Sequence, residues 1–367
     1  NNLTWEKVTT YDVGVDVDMF KNRLTIGFDW YRRNTTDMYT VGPTLPEVLG
    51  TTQPKGNYAN LKTKGWELIL SWRDNFKLAG SDFHYGVKFM LWDSQSWITK
   101  YNNATGKLSD YYEGYRIGDI WGYNIEGLFT SYDEIANHAD QDYIKISDSK
   151  IWQPGDLKFA DLNGDGKIDK GAQTLSDHGD LVIVGNEEER YHYGFNLNVG
   201  WKGIGISAFF QGVGKRDWYP GQETGFFWGK YNRPYGYSLK MHENRWTEEN
   251  PNPNAYWPRL VGYSSENGGR PMGTPNNRYM QDASYLRLKA LTVDYSLPQA
   301  WVSKLGLTGL KIYFTGENLF TFSNICENFD PEVIKGGDVD LKDRKGEEQG
   351  YSYPMLKTYT VGLNVSF

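Results

Sequence analysis

The sequence has little of what small secreted domains, membrane helices and nucleic-acid-binding proteins depend on. Its 367 residues include one cysteine, Cys326, so no intramolecular disulfide can form and an extracellular fold must rest on hydrogen-bonded ladders. The mean hydropathy is −0.65, and no run approaches the roughly 20 apolar residues that a membrane helix requires. The net charge of −7 is spread without a basic stripe, which argues against a nucleic-acid partner.

Signatures of catalysis are missing as well. The five histidines show neither an HExxH pattern nor paired spacing, no GxSxG segment occurs, and Cys326 has no partner motif near it. Acidic residues are abundant, but a glycosidase needs two carboxylates at a defined separation, which a sequence does not show. We therefore assign no catalytic residues and predict that the protein is not an enzyme.

What the sequence does have is a repeated alternation of apolar and polar residues. The last segment, 355–367, reads MLKTYTVGLNVSF, and it places an apolar side chain on every second position from Tyr359 to Phe367. Segments of this kind predict about nine strands, joined alternately by short turns and long loops. The predicted short turns lie at about 20–23, 74–82, 202–203 and 298–309, and the predicted long loops at about 35–61, 94–190, 214–283 and 321–354.

This regular change between short and long connections predicts an all-β fold, a transmembrane antiparallel β-barrel. Outer-membrane barrels have short periplasmic turns and long extracellular loops, whereas the loops of a sandwich are mixed in length at both ends. An aromatic share of 16% suits the girdles of such a barrel, although carbohydrate-binding sandwiches share that bias. With this assignment the C-terminus is expected in the periplasm.

The strand count implies that the barrel is larger than this sequence. Single-chain bacterial barrels have even strand numbers, and an open sheet in lipid would leave two unpaired edges at a cost on the order of tens of kcal/mol. We therefore expect further strands upstream of Asn1. The alternation also changes phase near Ala290, which indicates a β-bulge or a part of the strand that stands above the lipid band.

Several short motifs, in a fixed order along the whole chain, resemble a known family. The most specific is residues 154–169, PGDLKFADLNGDGKID. The others are NLTWE at 2–6, KGWE at 64–67, VGN at 184–186, YGF at 193–195, FFQG at 209–212, ASYLRLK at 283–289, TGENLF at 315–320 and the terminal strand. Together they resemble the C-terminal part of the SusC-like TonB-dependent outer-membrane transporters of Bacteroidetes.

The resemblance implies a 22-stranded outer-membrane barrel of which residues 1–367 form the C-terminal part as one domain. It further implies an N-terminal plug, absent from this chain, through which TonB supplies energy, and a SusD-like surface lipoprotein as the partner. The implied function is active import of oligosaccharides or peptides, with this chain forming the lipid-facing barrel wall and the loops around the substrate chamber. The alternative from the residues alone is a soluble, calcium-stabilised, carbohydrate-binding β protein.

A calcium-binding pattern lies within the most specific motif. Alternate oxygen-bearing side chains and a glycine fit most positions of the twelve-residue calcium loop, but position 12, which should carry a bidentate carboxylate, is Ala172. Asp177 or Asp180 could supply that oxygen, and Asp180 has the better spacing. A bound calcium ion would stiffen the loop, and the alternative is a turn satisfied by its own backbone amides. The predicted ligands are Asp161, Asn163, Asp165, Lys167, Asp169 and Asp180.

A second candidate site is the aromatic segment 226–235, FFWGKYNRPY, in a long loop. Its rings could stack on a sugar or a peptide, although the favoured interpretation is that they pack within the loop or against the lipoprotein. The candidate ligand-binding residues are Phe227, Trp228, Tyr231 and Tyr235. The following stretch, 238–249, has helix-forming composition and a proline stop at Pro251, and predicts a solvent-facing loop helix.

Overall fold

The computed structural model describes residues 3–42, 48, 50, 54–144, 151–221, 224–231, 236–260, 272–334 and 352–367. It is dominated by antiparallel strands. In chain order these are β1 (Lys7–Met19), β2 (Leu24–Val41), β3 (Lys55–Leu78), β4 (Ser81–Lys100), β5 (Asp119–Gly122), β6 (Ile125–Leu128), β7 (Leu157–Phe159), β8 (Val182–Asn186), β9 (Arg190–Trp201), β10 (Ile204–Lys215), β11 (Asp217–Trp218), β12 (Gln281–Asp282), β13 (Tyr285–Ser296), β14 (Gly309–Ser323) and β15 (Thr358–Ser366).

Nine of these strands form one sheet in the order β1-β2-β3-β4-β9-β10-β13-β14-β15. Every neighbour is antiparallel, which confirms the predicted all-β fold and its nine wall strands. The sheet is open in the part of the chain that the structure describes, with β1 and β15 as its edges. The six remaining strands pair as β5 with β8, β6 with β7 and β11 with β12 in the long loops.

The register gives the sheet one apolar face. An unbroken row of apolar side chains crosses eight strands at directly paired positions: Val17, Ile26, Leu70, Phe89, Phe195, Phe210, Leu288 and Phe320. One residue along each strand, the side chains lie on the other face, and over the five strands β1, β2, β3, β4 and β9 the neighbouring row is polar: Asp18, Thr25, Ser71, Lys88 and Asn196. Since side chains alternate across a sheet, this register fixes which surface is apolar.

Short connections all lie at one end of the sheet and long loops at the other, as the sequence predicts. The β3–β4 and β9–β10 turns have two residues, and both residues have positive φ, 49° and 79° at Ala79 and Gly80 and 49° and 84° at Lys202 and Gly203. This geometry matches the twist of a tight hairpin and favours glycine at the second position. The predicted turn at 74–82 was therefore too long, because both strands continue to the hairpin.

The predicted β-bulge near Ala290 is present. The register shifts between Leu288 and Ala290 in the pairing of β13 with β14, and between Phe209 and Phe210 in the pairing of β10 with β13. The shift keeps Leu288 on the apolar face while placing Arg287 and Lys289 on the opposite one. One inserted residue thus reconciles two stretches of opposite parity.

Helices are short and lie in the connections. They are α1 (Tyr132–Ala136), α2 (Gly225–Trp228) and α3 (Gln299–Val302), with single 3-10 turns at Asp142–Ile144, Gly229–Tyr231, Lys240–Glu243 and Ser303–Leu305. Within the described ranges, no helix has the length and apolar character needed to cross a membrane. The prediction of a helix over 238–249 is wrong, since only the turn Lys240–Glu243 is helical.

Candidate functional site in the long loops

The three long loops that follow β4, β10 and β14 share one buried cluster, called here the loop core. Its buried members come from all three loops, so the loops pack together as one body. The members are Tyr123, Ile125, Leu128, Ile144, Leu157, Phe159, Ile168, Leu181, Trp218, Tyr219, Phe227, Trp228, Tyr231, Trp246, Ala255, Trp257, Met272, Tyr279, Ala283, Ile325, Phe329 and Ile334.

Trp257 is the centre of the aromatic part of the loop core. Its ring stacks on Tyr231 and on Tyr279, with centroid separations of 5.1 and 5.2 Å. Phe227 packs edge-on against Trp228 at 4.7 Å. Offset-stacked and edge-on pairs of this kind add stabilisation beyond the burial of apolar area.

The structure buries the residues that the sequence proposed for ligand binding. Phe227 and Tyr231 are 1% exposed and Trp228 is fully buried, while Tyr235 lies outside the described residues. Trp228 Nε1 donates to the Gly221 carbonyl at 2.8 Å, and the Tyr231 hydroxyl donates to the Pro258 carbonyl at 2.7 Å. Their polar atoms are thus satisfied inside the loop core, which favours the packing interpretation, and ligand contact stays a prediction.

His242 is part of the same interior. Its Nδ1 accepts the backbone N–H of Leu239 at 2.9 Å, so Nε2 carries the proton and donates to the Phe227 carbonyl at 2.8 Å. Burial lowers the pKa of the imidazole, against the opposing effect of these two hydrogen bonds. Both ring nitrogens are occupied, so His242 acts as a neutral brace between two loop segments.

Ion pairs tie the loops to one another. Arg259 forms a two-bond pair with Asp156, at 3.0 and 2.8 Å, joining the loop after β10 to the loop after β4. Burial raises the pKa of the Asp156 carboxyl, although the guanidinium opposes that shift. Arg216 Nη1 donates to Glu189 at 2.9 Å, which adds a contact at the base of the same loops.

A buried charge network anchors the loop after β14 to the sheet. Arg287, on β13 and 3% exposed, donates to Glu332 at 2.5 Å and to Asp330 at 2.6 Å. Its Nε donates to Thr321 Oγ1 on the neighbouring strand at 2.8 Å, and Lys289 donates to the second oxygen of Glu332 at 2.7 Å. The sequence analysis did not identify this network. The sequence does contain a hint of this network, because Arg287 and Lys289 alternate with the apolar residues of ASYLRLK and so place two positive charges on the polar face of the strand.

The predicted calcium loop is folded around its own backbone amides. Asp161 accepts the N–H groups of Gly164 and Gly166, at 2.7 and 2.9 Å. The carboxylate of Asp180, 1% exposed, accepts Leu162 N–H at 2.8 Å and Asp169 N–H at 2.9 Å, and so closes the loop. Across the part of the chain that the structure describes, no three His, Cys, Asp or Glu side chains converge as a metal site requires.

The remaining predicted ligands belong to the same turns. Asn163 Oδ1 accepts the N–H of Asp165 at 2.9 Å, and Asp165 Oδ1 accepts the N–H of Lys167 at 2.8 Å. Asp169 Oδ1 accepts the N–H of Gly171 at 2.7 Å. These contacts are those of the backbone-satisfied turn that the sequence offered as the alternative, and calcium binding stays a prediction.

Comparison with known proteins gives a family-level match. A family model for "TonB dependent receptor-like, beta-barrel" matches residues 1–165. The TonB-dependent receptor P3 of Formosa agariphila is 28% identical over 382 residues, covering 100% of this chain and 35% of that protein. The TonB-dependent receptor SusC of Bacteroides thetaiotaomicron is 24% identical over 378 residues, covering 100% of this chain and 32% of that protein.

A solved structure shows the same fold. The structure of the RagAB peptide transporter superposes with a TM-score of 0.70 at 22% identity, covering 100% of this chain and 36% of that chain. The chain spans about a third of the length of the curated relatives that it matches. These relatives are named as receptors and the solved neighbour as a transporter, which supports, at the family level, the prediction that the protein is not an enzyme. Together these findings confirm the resemblance to the SusC-like TonB-dependent receptors of Bacteroidetes, whose C-terminal part this chain matches over its whole length.

Proposed function

We propose that residues 1–367 form barrel wall and substrate-chamber loops of a TonB-dependent importer in the bacterial outer membrane. The observation that carries this proposal is the apolar row across eight paired strands, with a loop core at one end of the same sheet. An apolar band on one face and polar side chains on the other is the arrangement of a lipid-facing barrel wall. The family match independently supports TonB-dependent import.

The proposal extends to orientation and partners. The short-turn end faces the periplasm and the loop core faces outward, because outer-membrane barrels place long loops outside. The two sheet edges, β1 and β15, pair with strands supplied by the rest of the barrel, since unpaired backbone groups are costly in lipid. A SusD-like lipoprotein covers the loops, TonB acts through the plug region, and the substrates are oligosaccharides or peptides.

Extraction and uptake by the full-length protein test this function. We expect the protein to require detergent, to migrate on a gel in a heat-dependent way, and to support substrate uptake that is lost when TonB is deleted. Clean extraction in aqueous buffer would contradict the proposal and favour the soluble carbohydrate-binding alternative. Uptake that persists without TonB would contradict the energy coupling alone.

Calcium binding in the 161–180 loop is part of the proposal. Each carboxylate oxygen keeps a second lone pair beside the one that accepts a backbone N–H, so Asp161 and Asp165 retain coordinating capacity. We expect calorimetric titration of the full-length protein with calcium to show uptake that Asp161→Asn weakens, because the loop loses one anionic ligand. Lys107→Gln, in the same long loop, is the control. If the unmodified protein takes up no calcium, the calcium prediction is wrong and the 161–180 loop is a turn whose carboxylates bind only its own backbone N–H groups.

A further inference from the structure

A cleft of about 310 Å³ lies where the ends of β9 and β10 meet β8 and β11. Its volume is at the lower end of the range of small-molecule sites, about 300 to 1,000 Å³. The lining is mostly polar and carries both signs of charge. The polar residues that define this mixed-charge cleft are Arg116, Asn186, Glu188, Arg190, Lys215 and Asp217.

Two of the cations in the mixed-charge cleft are already paired. Arg190 Nε donates to Asp93 Oδ1 at 2.6 Å, and a second bond joins the same guanidinium to the other carboxylate oxygen. Arg116 Nε donates to Asp119 Oδ1 at 2.7 Å. These guanidinium groups are held by two-bond or multiple contacts, so they form fixed walls of the cleft.

Asn186 sets the shape of the opposite wall. Its side chain is 9% exposed and donates from Nδ2 to the Ile117 carbonyl and to Asp119 Oδ1, both at 2.9 Å. Its backbone N–H donates to Asp217 Oδ2 at 2.9 Å, and its Oδ1 accepts the N–H of Glu188 at 3.0 Å. Asn186 therefore contacts both of the acidic residues that line the cleft, Asp217 through its backbone N–H and the backbone of Glu188 through its side-chain oxygen.

Three charged side chains of the cleft have no ion-pair partner within 4.0 Å among the described residues: Lys215, Glu188 and Asp217. Lys215 interacts with Asp282 only through space, and Asp282 is already hydrogen-bonded to Ser284 and Asn324. An ammonium group and two carboxylates thus face one cavity without neutralising each other.

We propose that the mixed-charge cleft binds a short zwitterionic peptide, an inference that rests on the proposed import function and names its substrate class. Lys215 receives the peptide carboxylate, and Glu188 and Asp217 receive its ammonium group, so each uncommitted charge gains a charge-assisted hydrogen bond. Lys215 and Glu188 are exposed and Asp217 is half-buried, and a neutral oligosaccharide, which presents hydroxyl groups only, gains no ion pair from any of the three. The arrangement therefore discriminates by charge between the two substrate classes that the family resemblance leaves open.

Titration calorimetry of the full-length protein in detergent tests this assignment with three probes: trialanine with free ends, N-acetyl-trialanine amide, and maltotriose. We expect the free peptide to bind, the capped peptide to bind at least about tenfold more weakly, and maltotriose to give no cleft-dependent heat, because neither the capped peptide nor the sugar offers a charged group to Lys215, Glu188 or Asp217. Lys215→Gln and Glu188→Gln should each weaken trialanine binding about tenfold. Lys202→Gln, in the β9–β10 turn at the other end of the sheet, should leave it unchanged.

The outcomes separate this assignment from the function on which it rests. Equal affinity for free and capped trialanine, no trialanine binding at all, or unchanged affinity in both variants overturns the cleft assignment, even where TonB-dependent uptake persists. Weakened binding in the variants together with uptake that does not need TonB upholds the cleft assignment and contradicts the energy coupling in the proposed function. Heat-dependent gel migration of each variant shows whether it has folded. If Lys215→Gln does not fold, Lys215→Arg replaces it, and this variant should keep trialanine binding because it keeps the positive charge.

Discussion

Replacement of Arg287 by Met is expected to destabilise the loop assembly by about 3–5 kcal/mol, the usual cost of removing one partner from a buried ion pair. Asp330 and Glu332 have side chains only 8% and 18% exposed, and Arg287 bonds to both. Without the guanidinium, and among the residues that the structure describes, Asp330 keeps no paired cation and Glu332 keeps Lys289 alone. Because Asp330 also accepts the N–H of Met355 at 2.9 Å, loosening should reach the approach to β15.

The measurement is the free energy of unfolding of the full-length protein, followed by tryptophan fluorescence, together with protease cleavage between β14 and β15. The matched control is Lys311→Met, which removes the pair with Asp294 at 3.1 Å, where the lysine side chain is 47% exposed. An exposed pair contributes about 0–1 kcal/mol. Adding Asp330→Asn and Glu332→Gln to Arg287→Met should recover part of the loss. If Arg287→Met and Lys311→Met cost the same, the network does not anchor the loop.

The strands were predictable from sequence because one physical constraint repeats in each of them. A wall strand with one apolar face shows an alternation that needs no partner to be recognised, as β15 and the β9–β10 hairpin illustrate. The strand ends were not predictable. β3 continues to Leu78 and β4 to Lys100, because the hydrogen-bonded ladder persists past Asp74 and Asp93, where a polar residue interrupts the apolar alternation. The alternation of apolar and polar residues marks only the part of a strand in the apolar band, whereas the backbone hydrogen bonds between strands continue beyond that band.

The loops were not predictable because their structure depends on contacts between distant residues. The helix expected over 238–249 gives way to backbone pairing, in which Trp246 N–H donates to the Trp257 carbonyl at 3.0 Å and Trp257 N–H donates to the Asn244 carbonyl at 3.0 Å. Local composition favours the helix, and burial of two tryptophans overrides it. The network of Arg287 was hidden for the same reason, since its carboxylates lie more than 40 residues away in the chain.

The aromatic segment gives the second large effect: Trp228→Ala is expected to destabilise the loop core by about 3–5 kcal/mol, the range for truncating a buried large aromatic side chain. Trp228 is fully buried and packs against Phe227, Tyr219 and Tyr279. Phe226→Ala is the matched control. The side chain of Phe226, two residues before Trp228, is 42% exposed, so its removal should lower the free energy of unfolding by less than about 1 kcal/mol. The free energy of unfolding in detergent measures both.

Measuring substrate affinity in Trp228→Phe and Trp228→Ala then shows whether Trp228 acts by packing in the loop core or by direct contact with the substrate. If Trp228 acts through packing, Trp228→Phe should keep most of the aromatic volume and therefore most of the substrate affinity, while Trp228→Ala should lower affinity only together with stability. A side chain that touched the ligand would behave differently: Trp228→Phe would retain the free energy of unfolding and still lose affinity, because the indole ring and its N–H would be missing from the contact. That pattern would return Trp228 to the ligand-binding role suggested by the sequence and would require the loop core to open when substrate binds.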